Sequence, residues 1–224
     1  MTAWAIVVAA GEGTRLAAGV PKALVPLGGR PMLAWSLEAA LGARSVAGVV
    51  VACGDSWLEQ GEELVRSIAG KRGRVCGGGP SRHASVRGAI GRVGGDTDRV
   101  VIHDAARPLA TPTLFERALD GLERAPGAVC AVPVVDTLKR ADGDVVAATV
   151  DRSVLWRAQT PQAFRLGDLL DAAAGGGEGI TDEAMLLERA GRTVVLVPGD
   201  ERNIKITTPA DLELAEAILR ARGR

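Results

Sequence analysis

The sequence predicts an α/β protein built on a doubly wound, mostly parallel sheet, and three observations predict it. Short β-branched runs recur from end to end, alanine-rich or amphipathic stretches separate them, and the runs are continuously apolar rather than alternating. Strand–helix alternation builds βαβ units, and a strand covered by helices on both faces carries apolar side chains in both directions. At 224 residues the chain suits one such domain, large enough to bury most of its apolar surface without disulfides or a structural metal.

Taken in order, the buried parallel strands fall at residues 5–10 (AIVVAA), 46–53 (VAGVVVAC), 100–103 (VVIH) and 128–135 (AVCAVPVV). Helices are expected over 32–41, 57–68, 81–93 and 112–124. Thr111-Pro112 and Thr208-Pro209 each put a capping hydroxyl before a proline at the first helical position. The pattern breaks between residues 134 and 162. There, residues 137–140 (TLKR) and 145–150 (VVAATV) flank Asp142-Gly143, a hairpin turn signal, and no helix-period run fits. This segment predicts a β-arm, at about 134–156, inserted in a single domain of residues 1–224. Gly175-Gly176-Gly177 predicts a flexible loop, and Thr181-Asp182-Glu183 a helix start with an N-cap and an acidic first turn.

Composition excludes several classes of function. Lys plus Arg and Asp plus Glu both number 27, so the basic excess of a duplex-binding protein is absent. Four Trp, two Phe and no Tyr are too few for stacking platforms on single strands. Cys53, Cys76 and Cys130 are scattered, which argues for a reducing cytoplasm and against a disulfide framework. His83 and His103 have no second soft ligand near them in sequence, which argues against zinc. The first apolar run, residues 3–10, is eight residues long, well short of the ~20 that span a bilayer. No basic segment precedes it, so neither export nor a membrane is expected, and the location expected is cytoplasmic.

Four segments carry candidate chemistry. Residues 9–16 (AAGEGTRL) follow the first strand, where a doubly wound sheet binds ligands, and Gly11 and Gly13 allow backbone N–H groups to approach a polyphosphate. A dinucleotide fingerprint needs glycine where Leu16 stands, and a P-loop needs Gly-Lys-Ser/Thr at its end. What remains is a loop followed by two cations, Arg15 and Lys22. They suit phosphoryl or nucleotidyl transfer; the plainer alternative is a turn with two solvated cations. In residues 103–108 (HDAARP), Asp104 suits a metal or a hydroxyl and Arg107 an anion, or the two pair to tie down a loop. His103 there reads as a satisfied core histidine. In residues 77–85 (GGGPSRHAS), the glycines and Ser85 either read a planar base or form a turn and cap. In residues 203–207 (NIKIT), Lys205 sits in a short apolar strand and needs an anionic partner, unless it snorkels to the surface.

Together with PKAL, VDTLKR, TVDR, QTPQ and TDEA, these segments stand in family order from residue 9 to residue 207. The chain so read resembles the 2-C-methyl-D-erythritol 4-phosphate cytidylyltransferases, and the resemblance covers almost its whole length. It implies a nucleotidyltransferase sheet with an arm that makes a homodimer. It implies a reaction in which the polyol phosphate attacks the α-phosphorus of CTP and releases pyrophosphate, with Mg²⁺ required and Asp104 near the metal. Carried over residue by residue, Ala9, Ala10, Gly11, Gly13 and Ala105 hold CTP, and Gly79 and Ser85 read the cytosine. Arg15 and Lys22 stabilise phosphate charge. Asp104, Arg107 and Thr160 face the polyol hydroxyls, and Lys205 binds a phosphate. Thr137 and Arg152 reach that phosphate in the partner's site. Pro80 departs from the acidic or polar residue that the family often has, which removes side-chain contacts to the base there and leaves the backbone of Gly79.

Phosphate attacking phosphate is opposed by charge repulsion, so cations rather than a covalent nucleophile are what the chemistry needs. Alternatives are a ribitol-5-phosphate cytidylyltransferase, a sugar-1-phosphate nucleotidyltransferase using UTP or dTTP, and a nucleotide-binding regulator without activity. Retention of Arg15, Lys22 and Asp104 together argues against the regulator, since sensing needs binding but no transition-state charge.

Overall fold

The computed structural model describes residues 2–11 and 19–223, so Gly13 and Arg15 lie outside the described residues. The chain begins with β1 (Thr2–Ala9), then a small hairpin of β2 (Pro26–Leu27) and β3 (Arg30–Pro31) leading into α1 (Met32–Gly42). β4 (Val46–Cys53), α2 (Leu58–Ala69), β5 (Gly73–Gly77), α3 (Arg82–Ile90), β6 (Thr97–Asp104), α4 (Pro112–Asp120) and β7 (Gly127–Pro133) continue the alternation. The arm strands β8 (Leu138–Asp142) and β9 (Val145–Val150) follow, then β10 (Trp156–Arg165), α5 (Leu166–Ala173), α6 (Ala184–Arg189), β11 (Val194–Pro198) and α7 (Pro209–Ala221).

Seven strands form the main sheet in the order β11-β7-β10-β6-β1-β4-β5. β5, β4, β1 and β6 are parallel. The continuity of the apolar runs is explained by what covers them. In β1, Ala5 and Val7 face a core shared with Leu33, Leu37, Val65, Leu114 and Phe115, while Ile6 faces a second core with Val86, Leu169 and Leu187. Both faces are thus dry, and only apolar side chains fit in either direction.

Two readings need correction. β7 is not purely a parallel strand: it pairs parallel with β11 but antiparallel with β10, which inserts between β6 and β7. No strand is expected there from sequence because the buried stretch of β10 is half polar, with Gln159, Thr160 and Gln162 inside the protein beside Ala163 and Phe164. Their partners come from remote segments, so no local pattern announces the strand. Residues 203–207 are the second case. They form an extended segment rather than a strand, tied by Ile206 N–H to the Ala106 carbonyl at 2.8 Å, with no ladder beside them. Ile206 anchors this segment in a third core with Leu27, Trp35, Leu109 and Leu219, under α7.

Local signals behave as their chemistry dictates. Thr208 and Asp211 cap α7 reciprocally, with Pro209 at its start. Pro112 opens α4, although the Thr111 hydroxyl makes no cap bond. α6 starts later than expected: Asp182, not Thr181, accepts the Met185 N–H at 3.3 Å, and Glu183 turns into the protein. The arm is present. β8 and β9 pair only with each other, across a two-residue loop of Gly143 and Asp144, with Gly143 at φ +59° where a side chain would be strained.

Candidate active site

The chain leaves β1 toward β4 on one side and reaches β6 on the other, so a crevice opens beyond the carboxyl ends of these strands. A cavity of about 310 Å³ occupies it. Ala9, Ala10 and Gly11 line it from the end of β1, and Gly79 and Ser85 from the glycine loop and α3. Asp104 and Ala105 enter from the end of β6, with Lys22 and Lys205 at its sides. Nine residues that the sequence singles out over a span of nearly two hundred thus meet in one place.

The glycine loop is shaped by close approach. A Cβ on Gly78 would lie 2.3 Å from the Ala10 Cβ, and one on Gly79 would lie 2.6 Å from the Ala84 Cβ. Both clashes are with atoms held by backbone, so the loop seats against the β1 end only without side chains. Ser85 holds this shape: its Oγ accepts the Gly79 N–H at 3.0 Å and its hydroxyl donates to the Ser81 carbonyl at 2.9 Å. The Ser81 side chain in turn caps α3 at the Ala84 N–H.

Asp104 is the electrostatic centre. Arg82 Nε donates to its Oδ1 at 3.0 Å and Lys205 Nζ to its Oδ2 at 2.9 Å. Burial pushes its carboxyl upward, but Arg82 and Lys205 outweigh this and hold it well below the usual carboxylate range. Arg82 also donates to Glu183, and although burial works against its charge, the two carboxylates keep the guanidinium firmly protonated. Lys205 has the anionic partner its apolar setting demanded, and that partner is Asp104. The pairing of Asp104 with Arg107 considered from sequence does not form; Arg107 donates instead to the Asn203 and Ala158 carbonyls, at 2.8 and 3.2 Å. Arg82 and Glu183 are what sequence reasoning missed. Their only signal was an arginine and an acid inside two glycine- and threonine-led segments.

Behind Asp104, Thr160 Oγ1 accepts the Asp104 N–H at 3.0 Å and donates to His103 Nδ1 at 3.1 Å. His103 Nε2 faces the Arg107 carbonyl at 3.2 Å, which can only accept, so the ring is neutral with its proton on Nε2. Burial lowers the His103 pKa to about 4. Between pH 6.5 and about 4 the unfolded chain binds a proton here that the folded chain excludes. Stability therefore falls as pH falls through that window, by about 3 kcal/mol in total. Urea midpoints measured across it should show the slope in the native chain and lose it in His103→Asn; a slope unchanged by the substitution would place its origin elsewhere.

The Lys205 segment is locked from below. Asn203 Nδ2 donates to the Thr160 carbonyl at 2.8 Å, and Gln159 Nε2 donates to the Asp200 carbonyl at 2.9 Å. Both side chains are buried, so the polar half of β10 exists to hold this segment and the Asp104 turn together.

Residues 3–221 match the family model described as 2-C-methyl-D-erythritol 4-phosphate cytidylyltransferase. The chain belongs to that family. The enzyme of that name from Halorhodospira halophila is 46% identical over 229 aligned positions, covering 97% of this chain and 94% of its own. The one from Synechococcus elongatus is 43% identical, covering 97% and 96%. Among solved structures, the 4-diphosphocytidyl-2C-methyl-D-erythritol synthase of Anaerococcus prevotii superposes with a TM-score of 0.85 at 26% identity, covering 98% of both chains. The 2-C-methyl-D-erythritol 4-phosphate cytidylyltransferase of Thermus thermophilus gives 0.80 at 33%, covering 98% of this chain and all of that one. The sheet and its flanking helices are those of this cytidylyltransferase family.

Several expected site residues stand apart from the cavity lining. Thr160 lies just behind Asp104, its hydroxyl already engaged, and Arg107 has two of its nitrogens on carbonyls. Thr137 and Arg152 are exposed on the arm, Arg152 donating to the Val135 carbonyl at its root, and neither lines the cavity. Among the described residues Asp104 is the single carboxylate lining the pocket, and both its oxygens carry cations. Among the described residues no three His, Cys, Asp or Glu side chains gather as metal ligands. The donor set therefore does not fit a metal ion held by the protein alone.

Proposed function

We propose that the chain joins CTP to 2-C-methyl-D-erythritol 4-phosphate, giving 4-diphosphocytidyl-2-C-methyl-D-erythritol and pyrophosphate, the step its family performs in the non-mevalonate isoprenoid pathway. A phosphate oxygen of the polyol attacks the α-phosphorus, and the bond from that phosphorus to the bridging oxygen of the leaving pyrophosphate breaks. The observation that carries this reading is the convergence of Lys22, Arg82 and Lys205 on one cavity at the switch point, around the buried Asp104. Three cations and a stretch of bare glycine backbone in one cavity suit two phosphates and a planar base.

In this reading Ala9, Ala10, Gly11 and Gly13 wrap the nucleotide with Ala105, and Lys22 with Arg15 faces the triphosphate. Ser85 acts on the base by fixing Gly79 as much as by contact, because its hydroxyl is already engaged on both sides. Asp104, with Thr160 and Arg107 behind it, meets the polyol hydroxyls, and Lys205 turns from Asp104 to the polyol phosphate. These enzymes generally need a divalent cation. Mg²⁺ would enter on the phosphate oxygens of CTP, beside Asp104, and offset part of their charge.

The arm supports a homodimer. Val145, Val146 and Val154 are 65%, 60% and 74% exposed, and Trp156 at its base is 46% exposed. A lone two-stranded ribbon with apolar side chains in water is marginal, and a symmetric partner is the economical cover. Arg152 and Thr137 then enter the partner's site.

Pyrophosphate release with each of four nucleotides, against 2-C-methyl-D-erythritol 4-phosphate, ribitol 5-phosphate and a sugar 1-phosphate, tests the reading. CTP with the methylerythritol phosphate is the pair expected to turn over. UTP should be at least about a hundredfold poorer in kcat/KM, because backbone carbonyls placed for the cytosine amino group would face an oxygen. Comparable turnover of CTP and UTP, or preference for another polyol, would overturn it.

A further inference from the structure

Glu183 lies outside the cavity lining and is wholly buried, yet it belongs to the same chain of charges as the site. Glu183, Arg82, Asp104 and Lys205 alternate in sign, and their side-chain exposure is 1%, 24%, 12% and 46% in that order. Lys205, at the solvent end, is the member free to turn toward a phosphate. When it does, Asp104 keeps one cation, Arg82.

Arg82 is also a cation in an anion pocket, and a triphosphate would draw its guanidinium away from Asp104. What opposes this is the other arm of the fork, Nη1 on Glu183. We propose that Glu183 is a positioning residue for the transfer reaction: it pins Arg82 so that Asp104 keeps its orientation toward the polyol while Lys205 is engaged elsewhere. This rests on the functional reading above.

The local geometry favours a role toward Arg82 over a role in α6. Glu183 stands at the N-cap of α6 but makes no cap bond; Asp182 serves that helix, and is itself held by Gln162 Nε2 at 2.8 Å. The second oxygen of Glu183, Oε1, makes no hydrogen bond among the described residues, and His83 Nδ1 is 3.8 Å away. A buried carboxylate whose hydrogen bonding goes to one guanidinium is committed to placing it.

The test is a double-mutant cycle read separately for each substrate. Glu183→Gln keeps the size and removes the charge. It should raise KM for 2-C-methyl-D-erythritol 4-phosphate roughly tenfold while KM for CTP stays within about threefold. Arg82→Gln should lose at least as much, and the double variant should match Arg82→Gln within about twofold, because Glu183 acts only through Arg82. Losses that multiply, equal loss for both substrates, or no change in Glu183→Gln would each overturn the assignment. If Glu183→Gln alone does not fold, Arg82→Gln against the double variant decides: a further loss on adding Glu183→Gln refutes the assignment and its absence supports it. Native enzyme that releases no pyrophosphate from CTP and the methylerythritol phosphate would instead overturn the functional reading itself.

Discussion

Replacing Lys22 with alanine should lower kcat by about 10²- to 10³-fold, the scale for losing one preorganised electrostatic donor at developing charge. Lys22 opens the short 3-10 turn Lys22–Leu24 at the mouth of the cavity. The turn is anchored by its buried neighbours Ala23 and Val25, and by the Leu24 N–H donating to the Pro21 carbonyl at 2.8 Å. That anchoring rests on backbone and on neighbouring side chains, so the variant should melt close to the native temperature. The loss should appear in kcat more than in KM for CTP, because charge on the α-phosphoryl oxygens and the leaving pyrophosphate grows toward the transition state. A folded variant with near-native kcat would remove Lys22 from the mechanism, and a variant that only unfolds would contradict the expected stability.

Arg152→Ala should be crippled as a homodimer, and so should Lys22→Ala, yet mixing the two should restore about a quarter of native activity. The restoration follows from geometry. Arg152 is exposed on the arm and away from its own chain's cavity, so in the proposed dimer it serves the partner. In a mixed dimer one site then lacks both cations while the other has both. Random exchange makes half the dimers mixed, each with one intact site of two, which gives about a quarter. If Arg152 served its own chain, each site of a mixed dimer would carry one lesion and no activity would return. The measurement needs exchange confirmed independently, for example by co-purification through two tags. Lack of recovery under those conditions would rule out a shared site.

How far the site could be read from sequence depends on how local its determinants are. Gly78 and Gly79 announce a close backbone approach, and the structure supplies the reason in Ala10 and Ala84. Thr208 and Pro209 announce a helix start, and the structure closes it locally, with Asp211 completing a capping box within four residues. The Asp104–Lys205 and Arg82–Glu183 pairs each join residues 101 apart, and no spacing rule reaches that far. Asp104 was legible as chemistry, but its partners were not: sequence offered Arg107, three residues away, and the fold delivered Arg82 and Lys205.

The sequence by itself determined the doubly wound core, the arm and the family. Continuous apolar strands, turn glycines and capping hydroxyls are short-range consequences of sterics and burial, and the ordered motifs span nearly the whole chain. Only the tertiary structure decided that β10 runs antiparallel through the middle of the sheet, that Lys205 rides on an extended segment rather than a strand, and that Asp104 is shared by two cations. Each of these places polar or charged groups in the interior. Such groups are stable there only with partners, and the partners come from whichever segments the folded chain brings near.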